Sequence, residues 1–295
     1  MSDGKKYLIT GSEGFIGRNL REELSKIFGW DNIACVDVLP QAEHYYGRFS
    51  RIPVEELATN IFDYSSDIET IFHLAAMSSP VEVENYPFNG IRSNILGTAS
   101  VLEFARNKLI NSPDVTTPNV IIASSSAITG DSLYGLTKRT SEEIADHYRK
   151  NYHLNVSSCR FFNTFGNDER KGEYTSIPTQ FLDKAMKDKP IVIYGNGKQS
   201  RDFIYVKDLV QWLIDVDIKK KSGTFNFGTG ISTSFNDLAD MIIRLTNSKS
   251  RIKYVKNPLT SYQDFTKARQ PYSEPGYTLE RALEDMIAER RKINS

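Results

Sequence analysis

Residues Tyr7-Leu8-Ile9-Thr10-Gly11-Ser12-Glu13-Gly14-Phe15-Ile16-Gly17 decide the fold. Four β-prone residues run into a glycine-rich turn. Beyond it Phe15, Ile16, Leu20, Leu24 and Ile27 recur at helical spacing, with charges between them. Ile33-Ala34-Cys35-Val36 is a second short apolar run, ending in Asp37 and stopped by Pro40. Strand, helix and strand in this order predict a βαβ unit. Gly11 permits a tight turn after the first strand. Gly14 lets backbone approach an anion at the helix N-terminus, where N–H groups and the helix dipole favour negative charge. Gly17 lets the helix pack close to the sheet. Asp37 falls at the end of the next strand, where a carboxylate accepts hydrogen bonds from ribose hydroxyls. Together these predict a dinucleotide site. NAD is favoured over NADP, because a 2′-phosphate would be repelled by Asp37 and residues 38–46 contain no Lys or Arg; Arg48 is the first base.

The alternation continues outward. Thr70-Ile71-Phe72-His73-Leu74, Val120-Ile121-Ile122-Ala123 and Val156 to Arg160 read as buried strands, and Asn89 to Lys108 and Tyr134 to Asn151 as helices. Continuous apolar strands alternating with amphipathic helices mean a parallel sheet covered on both faces. After Phe162 the pattern changes: a polar connection, a helix from Ile177, and Ile191 to Tyr194 and Phe203 to Val206 around Gly195-Asn196-Gly197, where the Asn-Gly pair signals a hairpin. The expected fold is α/β, a Rossmann-like doubly wound parallel sheet with a smaller mixed α/β C-terminal substrate lobe. Residues 1–165 form the dinucleotide-binding domain, with 201–230 returning to it, and 166–295 the substrate lobe.

Composition excludes several classes. The 295 residues carry 37 Lys+Arg and 37 Asp+Glu, so no net charge drives binding to nucleic acid or an anionic membrane. Cys35 and Cys159 are too few and too far apart for a disulfide framework or a metal finger, and His44, His73, His147 and His153 are scattered, so no metal site is expected. No apolar run spans a bilayer, and Tyr7 to Thr10 is too short for a signal-peptide core. The expectation is a cytoplasmic globular protein.

Tyr134-Gly135-Leu136-Thr137-Lys138 places a phenol and an ammonium at i and i+4, on one helix face. A nearby ammonium and a positive nicotinamide ring stabilise a phenolate and lower its pKa, which suits Tyr134 to acid/base work between hydroxyl and carbonyl. Ser124-Ser125-Ser126 ends the preceding strand, at the edge of a parallel sheet where ligands bind. A hydroxyl there can hold the substrate oxygen while Tyr134 moves the proton.

With His73-Leu74-Ala75-Ala76, Asn94-Ile95-Leu96-Gly97-Thr98, Arg160-Phe161-Phe162-Asn163-Thr164-Phe165-Gly166 and Arg201-Asp202-Phe203-Ile204-Tyr205-Val206-Lys207-Asp208, these motifs resemble the extended short-chain dehydrogenase/reductase family of nucleotide-sugar epimerases, reductases and dehydratases across nearly the whole chain. The resemblance implies a catalytic set of Tyr134, Lys138 and Ser125, with Ser126 as the alternative serine. It implies cofactor contacts from Gly11, Gly14, Phe15, Ile16, Gly17, Asp37, Asn60, Ile61, Leu74, Ala75, Ala76 and Asn94, and from Tyr134 and Lys138 themselves. It implies substrate contacts from Ser78, from Asn163 and Arg201 at a diphosphate, and from Tyr262. Glu169 to Gly172, Gly223 to Gly230 and Ser261 to Ala268 are similar to ADP-heptose 6-epimerases, which implies Lys171 as a second acid/base. It also implies a homodimer through helices 94–108 and 134–151.

Departures from the family pattern are visible. Ser125 stands only nine residues before Tyr134, where the family inserts a much longer loop, and the Asp37–His73 segment is short, so one crossover helix is expected to be trimmed. Ser126-Ala127 replaces the acidic pair of the 4,6-dehydratases, and Cys159 and His153 do not match the fucose-synthase type of reductase. The sequence reading is an NAD-dependent epimerase of a nucleotide-diphosphate sugar, with a net ketoreductase or dehydrogenase as the alternative and a non-catalytic NAD-binding relative as the third hypothesis. The sugar, the nucleoside and the carbon inverted are not encoded in any motif.

Overall fold

The computed structural model describes residues 6–40, 48–59, 68–111, 117–169, 175–256 and 265–293. In chain order the elements are β1 (Lys6–Thr10), α1 (Phe15–Phe28), β2 (Ile33–Asp37), β3 (Arg48–Arg51), β4 (Ile68–His73), α2 (Pro80–Asn85), α3 (Pro87–Ile91), a π-helical turn (Arg92–Leu96) and α4 (Gly97–Asn111). Then come β5 (Asn119–Ser125), α5 (Leu133–Asn151), β6 (Val156–Phe161), β7 (Asn163–Phe165), α6 (Ile177–Ala185), β8 (Ile191–Tyr194), β9 (Ser200–Tyr205) and α7 (Val206–Ile218). The chain closes with β10 (Gly223–Phe227), β11 (Ser232–Ser234), α8 (Phe235–Thr246), β12 (Ile252–Val255) and α9 (Leu279–Ile293).

Seven strands form the large sheet in the order β10-β6-β5-β4-β1-β2-β3, the doubly wound arrangement expected. The β1–β2, β1–β4, β2–β3 and β4–β5 pairs are parallel. Leu8, Val36, Ile71, Val120 and Ile122 pack with Val101, Leu102 and Ala105 of α4 and Ala145 of α5 in one core, while the alternate strand residues Tyr7, Ile9, Cys35, Phe72 and Ile121 are buried as well. Burial of both strand sets is why these strands read as continuous apolar runs. The expected helix over 89–108 is interrupted by the π turn. Among the described residues the segment between β3 and β4 contributes one 3-10 turn, Val54–Glu56, and Gly97 makes room for Val54, whose Cγ1 would lie 2.7 Å from a Cβ at that position.

The chain divides into two compact units, Met1–Arg160 with Val210–Phe225 and Phe161–Leu209 with Asn226–Ser295. The boundary falls earlier than residue 165 because β7 leaves the large sheet and pairs in parallel with β9. The returning piece is shorter than 201–230 for the same reason, since β9 also pairs with β11. What returns is anchored by Asp217 of α7, which accepts hydrogen bonds from Thr70 Oγ1 (2.6 Å) and Asn119 Nδ2 (3.0 Å). The hairpin expected around Asn196-Gly197 does not form. β8 pairs in parallel with β12 instead. The turn, with φ of +83° at Gly195 and +73° at Gly197, is tied to α8, where Asn236 N donates to the Gly197 carbonyl and Asn236 Nδ2 to that of Asn196.

Gly11 adopts φ +71°, and a Cβ there would lie 2.6 Å from the Ala75 nitrogen. At Gly17 a Cβ would lie 2.2 Å from the Gly11 carbonyl oxygen and 2.8 Å from Ser12 Cα. Gly17 therefore packs α1 against the turn itself, not against the sheet as expected. Gly17→Ala should destabilise the protein by about 1–3 kcal/mol, the usual cost of overpacking, read as a lower urea midpoint; an unchanged midpoint would contradict this packing.

Candidate active site

The glycine turn is built to receive an anion. Gly14 stands at the N-cap of α1 and offers no side chain to cap it, whereas Ser79, Ser132 and Ser234 cap α2, α5 and α8. The first N–H groups of α1 therefore lack a side-chain acceptor. Ser12 Oγ is fully buried in the same turn and makes no hydrogen bond among the described residues. Asp37 Oδ2 accepts from Glu13 N (2.8 Å) and Oδ1 from Leu39 N (3.0 Å), so the strand-end carboxylate is locked onto the turn. Glu13 in turn makes a buried ion pair with Arg21. These features fit a dinucleotide: uncapped N–H groups and an orphaned hydroxyl for a diphosphate, and a fixed carboxylate for a ribose. Phe15 and Ile16 form the first turn of α1, half-buried. The register sets Arg51 of β3 alongside Asp37, and its Nε donates to the Val38 carbonyl (3.0 Å). So a base does stand at the end of β2, brought by the sheet and invisible in residues 38–46.

A chain of hydrogen bonds crosses the top of β1 and β4. Ala75 N donates to Thr10 Oγ1 (3.3 Å), and Thr10 Oγ1 lies 2.8 Å from His73 Nδ1. His73 Nε2 lies 3.1 Å from Thr98 Oγ1, which donates to the Asn94 carbonyl (2.7 Å). Thr98 spends its proton on Asn94, so His73 carries its proton on Nε2 and accepts at Nδ1 from Thr10. Leu74 N donates to the Thr10 carbonyl (3.0 Å), which extends the β1–β4 ladder one residue beyond His73. Asn94, in the π turn, accepts from Met77 N (2.8 Å) and donates to the Met77 carbonyl (3.1 Å) and Thr137 Oγ1 (3.0 Å). Its amide thus shapes the loop 74–79; π turns recur at such positions because they re-aim one side chain. Ala76 and the exposed Ser78 lie on that loop.

At the end of β5 the expected catalytic residues meet. Ser125 accepts from Ala127 N (3.1 Å) and starts a 3-10 turn over Ser126–Thr129. That turn, closed by Ser132 Oγ accepting from Gly135 N (3.1 Å) and by Arg139 Nη1 donating to the Ile128 carbonyl (2.9 Å), spans the short connection. Gly135 is required, since a Cβ there would lie 2.4 Å from the Ala127 carbonyl oxygen. The compact turn still brings Ser125 to Tyr134. Lys138 Nζ donates to the Ala123 carbonyl (2.9 Å). Burial pushes the Lys138 amine down to about 8, opposed by the Glu142 carboxylate. Burial also raises the Tyr134 phenol above its usual value, with the Ser125 hydroxyl pulling the other way. Desolvation sets the direction of the Tyr134 shift, upward, against the lowering expected from the sequence.

In the second unit Asn163 donates both amide hydrogens, to the Asp202 carbonyl and to Thr266 Oγ1 (2.9 Å each). That leaves its oxygen, a poor partner for a diphosphate. Arg201 is buried, donates to the Ser200 carbonyl (2.8 Å) and lies 5.7 Å from the Phe235 ring centroid. Asn60, Ile61, Lys171 and Tyr262 lie outside the described residues. Among the described residues no three His, Cys, Asp or Glu side chains converge on a metal position, and no helix is long and apolar enough to cross a membrane.

The family model for NAD dependent epimerases/dehydratases matches residues 7–228. This chain belongs to that family. It is 30% identical to the UDP-N-acetyl-alpha-D-glucosaminuronate decarboxylase of Bacillus cytotoxicus over 277 residues, 85% of this chain and 83% of the relative. Among solved structures it is similar to the UDP-glucose 4-epimerase of Thermotoga maritima with UDP-glucose, at TM-score 0.84 and 22% identity, covering 98% of this chain and 100% of that one. It is similar too to MoeE5 in complex with UDP-glucuronic acid and NAD, at TM-score 0.82 and 26% identity, covering 98% and 99%. The family assignment makes the enzyme NAD-dependent and the fold that of the extended short-chain dehydrogenases.

Burial pushes His73 down to about 3, with Lys138 adding to the effect. The unfolded chain takes up that proton near pH 6.5, the folded one near pH 3, so stability falls as pH drops through this window. Against His73→Gln, the advantage of the wild type in urea unfolding should shrink by up to about 1.4 kcal/mol per pH unit below pH 6. A constant difference between pH 7 and pH 5 would contradict a buried neutral ring.

Proposed function

We propose that this protein is an NAD-dependent nucleotide-sugar epimerase that oxidises one carbinol carbon transiently and reduces it again from the other side. The observation that carries the reading is the convergence of Tyr134, Lys138 and Ser125 at the end of β5, in the unit that holds the glycine turn. NAD, when bound by the glycine turn and Asp37, would supply a reversible hydride acceptor, so no net oxidation would occur. Ser125 holds the substrate hydroxyl and Tyr134 takes its proton as the carbonyl forms, then gives it back. Lys138, tethered to Ala123, orients the nicotinamide ribose and offsets charge on the phenolate. Asp37 holds the adenine ribose and favours NAD over NADP, with Arg51 as the base that a 2′-phosphate would have to recruit. Ser78 and Tyr262 contact the sugar. Arg201 binds the diphosphate through its planar fork, while Asn163 fixes β7 to the segment at Thr266. Lys171 is the second acid/base.

The 30% identical decarboxylase favours a second reading on the same residues. If the substrate is a nucleotide uronate, oxidation beside the carboxyl-bearing carbon produces a β-keto acid that loses carbon dioxide before reduction. Net ketoreduction remains the other alternative. A panel of UDP-, ADP-, GDP-, CDP- and dTDP-sugars, including UDP-glucuronate, separates the three: epimer without added NADH, carbon dioxide release, or stoichiometric NADH turnover. Tyr134→Phe should lower kcat by about 10²- to 10⁴-fold with NAD affinity kept in calorimetry. Unchanged turnover would remove Tyr134 from its role.

We also propose a homodimer through helices 94–108 and 134–151. Phe88 and Leu96 are 72% and 53% exposed, and Ile91 and Leu136 are exposed as well, an apolar set on α3, the π turn and α5. Leu96→Glu should convert a dimer to a monomer in light scattering; a wild-type protein that is already monomeric at micromolar concentration contradicts the assembly.

A further inference from the structure

We propose that Glu142 is a positioning residue for Tyr134 and Lys138: clamped by Ser124 and Arg160, its carboxylate supplies the negative charge that the buried Lys138 ammonium needs. The proposal rests on the reading that Tyr134 and Lys138 perform the chemistry. Tyr134, Lys138 and Glu142 follow one another at i, i+4 and i+8 on α5, so they share one helix face. Three consecutive residues of β5 answer them. Ser125 acts on Tyr134, the Ala123 carbonyl accepts from Lys138, and Ser124 Oγ donates to Glu142 Oε1 (2.5 Å). From β6, Arg160 Nε donates to Oε1 (2.9 Å) and Nη2 to Oε2 (2.7 Å). Both carboxylate oxygens are therefore held, and the Glu142 side chain is 10% exposed. An exposed Glu–Arg pair contributes little to a fold; here the Glu142 end is mostly buried while Arg160 stays partly exposed, and Glu142 stands one helical turn from Lys138.

The other groups around Lys138 cannot replace it. From β4 comes His73, held neutral by burial. From β6 comes Cys159, which burial and Glu142 keep as the thiol, and Arg160, which is spent on Glu142. From the π turn and α4 come Asn94 and Thr98, and on α5 itself Tyr134 is raised by its own burial. Among the described residues acting on the Lys138 amine, Glu142 is the anion that favours its charged form. Burial works against the charged form of the amine and Glu142 for it, and a neutral amine neither stabilises a phenolate nor donates as strongly to a ribose.

The two partners of the clamp act in opposite directions on Lys138. Removing the Glu142 charge lowers its pKa; removing the Arg160 charge unmasks Glu142 and raises it. A purely structural pair would give both variants the same defect. The test is a pH titration of lysines labelled at Cε by NMR, with the Lys138 resonance assigned by its loss in K138R. In Glu142→Gln the midpoint should fall by about one pH unit, in Arg160→Gln it should rise, and Glu142→Asp should return it toward wild type. The basic limb of the kcat profile should follow the same order. Midpoints that stay put, or move the same way in Glu142→Gln and Arg160→Gln, overturn the proposal; if Glu142→Gln does not fold, the sign of the Arg160→Gln shift decides. Midpoints that move as expected in a protein that turns over no nucleotide sugar leave the electrostatic role standing and refute the function on which it was built.

Discussion

The hydrogen bond from Lys138 Nζ to the Ala123 carbonyl fixes the catalytic end of the sheet. A lysine head group drawn out of water needs an acceptor and a compensating charge, or it gives up its proton. Ala123 of β5 provides the acceptor and Glu142, in the third turn of α5, the charge, which anchors the helix to the strand along its N-terminal half. Tyr134 lies one turn before the lysine, so the same anchor delivers the phenol to Ser125. Behind this contact the Thr10–His73–Thr98–Asn94 relay ties β1, β4 and α4 together. Ser141 joins it by donating to the Asn94 carbonyl (2.9 Å), and so adds α5 to the same network.

The connection between β5 and α5 has room for this geometry because it spends no residue on excursion. A 3-10 turn advances the chain quickly and leaves a helix N-cap, Ser132, immediately behind it. The price of compactness is the absence of a side chain at position 135, where the Ala127 carbonyl already occupies the space. The Leu133 N–H, left over at the start of the helix, is taken by Glu84 of α2 (2.8 Å). The loop that follows β4 is thereby pinned at both ends, at Met77 by Asn94 and at Glu84 by α5.

The dinucleotide end obeys a different constraint, the closeness of backbones. Gly11 sits against Leu74 and Ala75, and Gly17 against Gly11, so the turn is squeezed between β4 and its own helix. The buried Glu13–Arg21 pair and the Asp37–Glu13 hydrogen bond hold that squeezed turn to β2. A carboxylate fixed in this way presents a defined acceptor to a ribose without being free to follow it.

Periodicity and the glycine spacing determined by themselves the parallel sheet, its first βαβ unit and the pairing of a phenol with an ammonium on one helix face, because these are local properties of the chain. Ser125 was one of two serines that the family resemblance offered beside Tyr134, with Ser126 the other; the fold sets the Ser125 hydroxyl against the phenol. Tertiary structure alone decided the rest. The π turn that aims Asn94, the base brought beside Asp37 by β3, the pairing of β8 with β12 in place of a hairpin, and the clamp of Ser124 and Arg160 on Glu142 all join residues distant in the chain. The direction of the Tyr134 shift was likewise out of reach of the sequence, since a motif states which charges are nearby and not how much water has been removed from them.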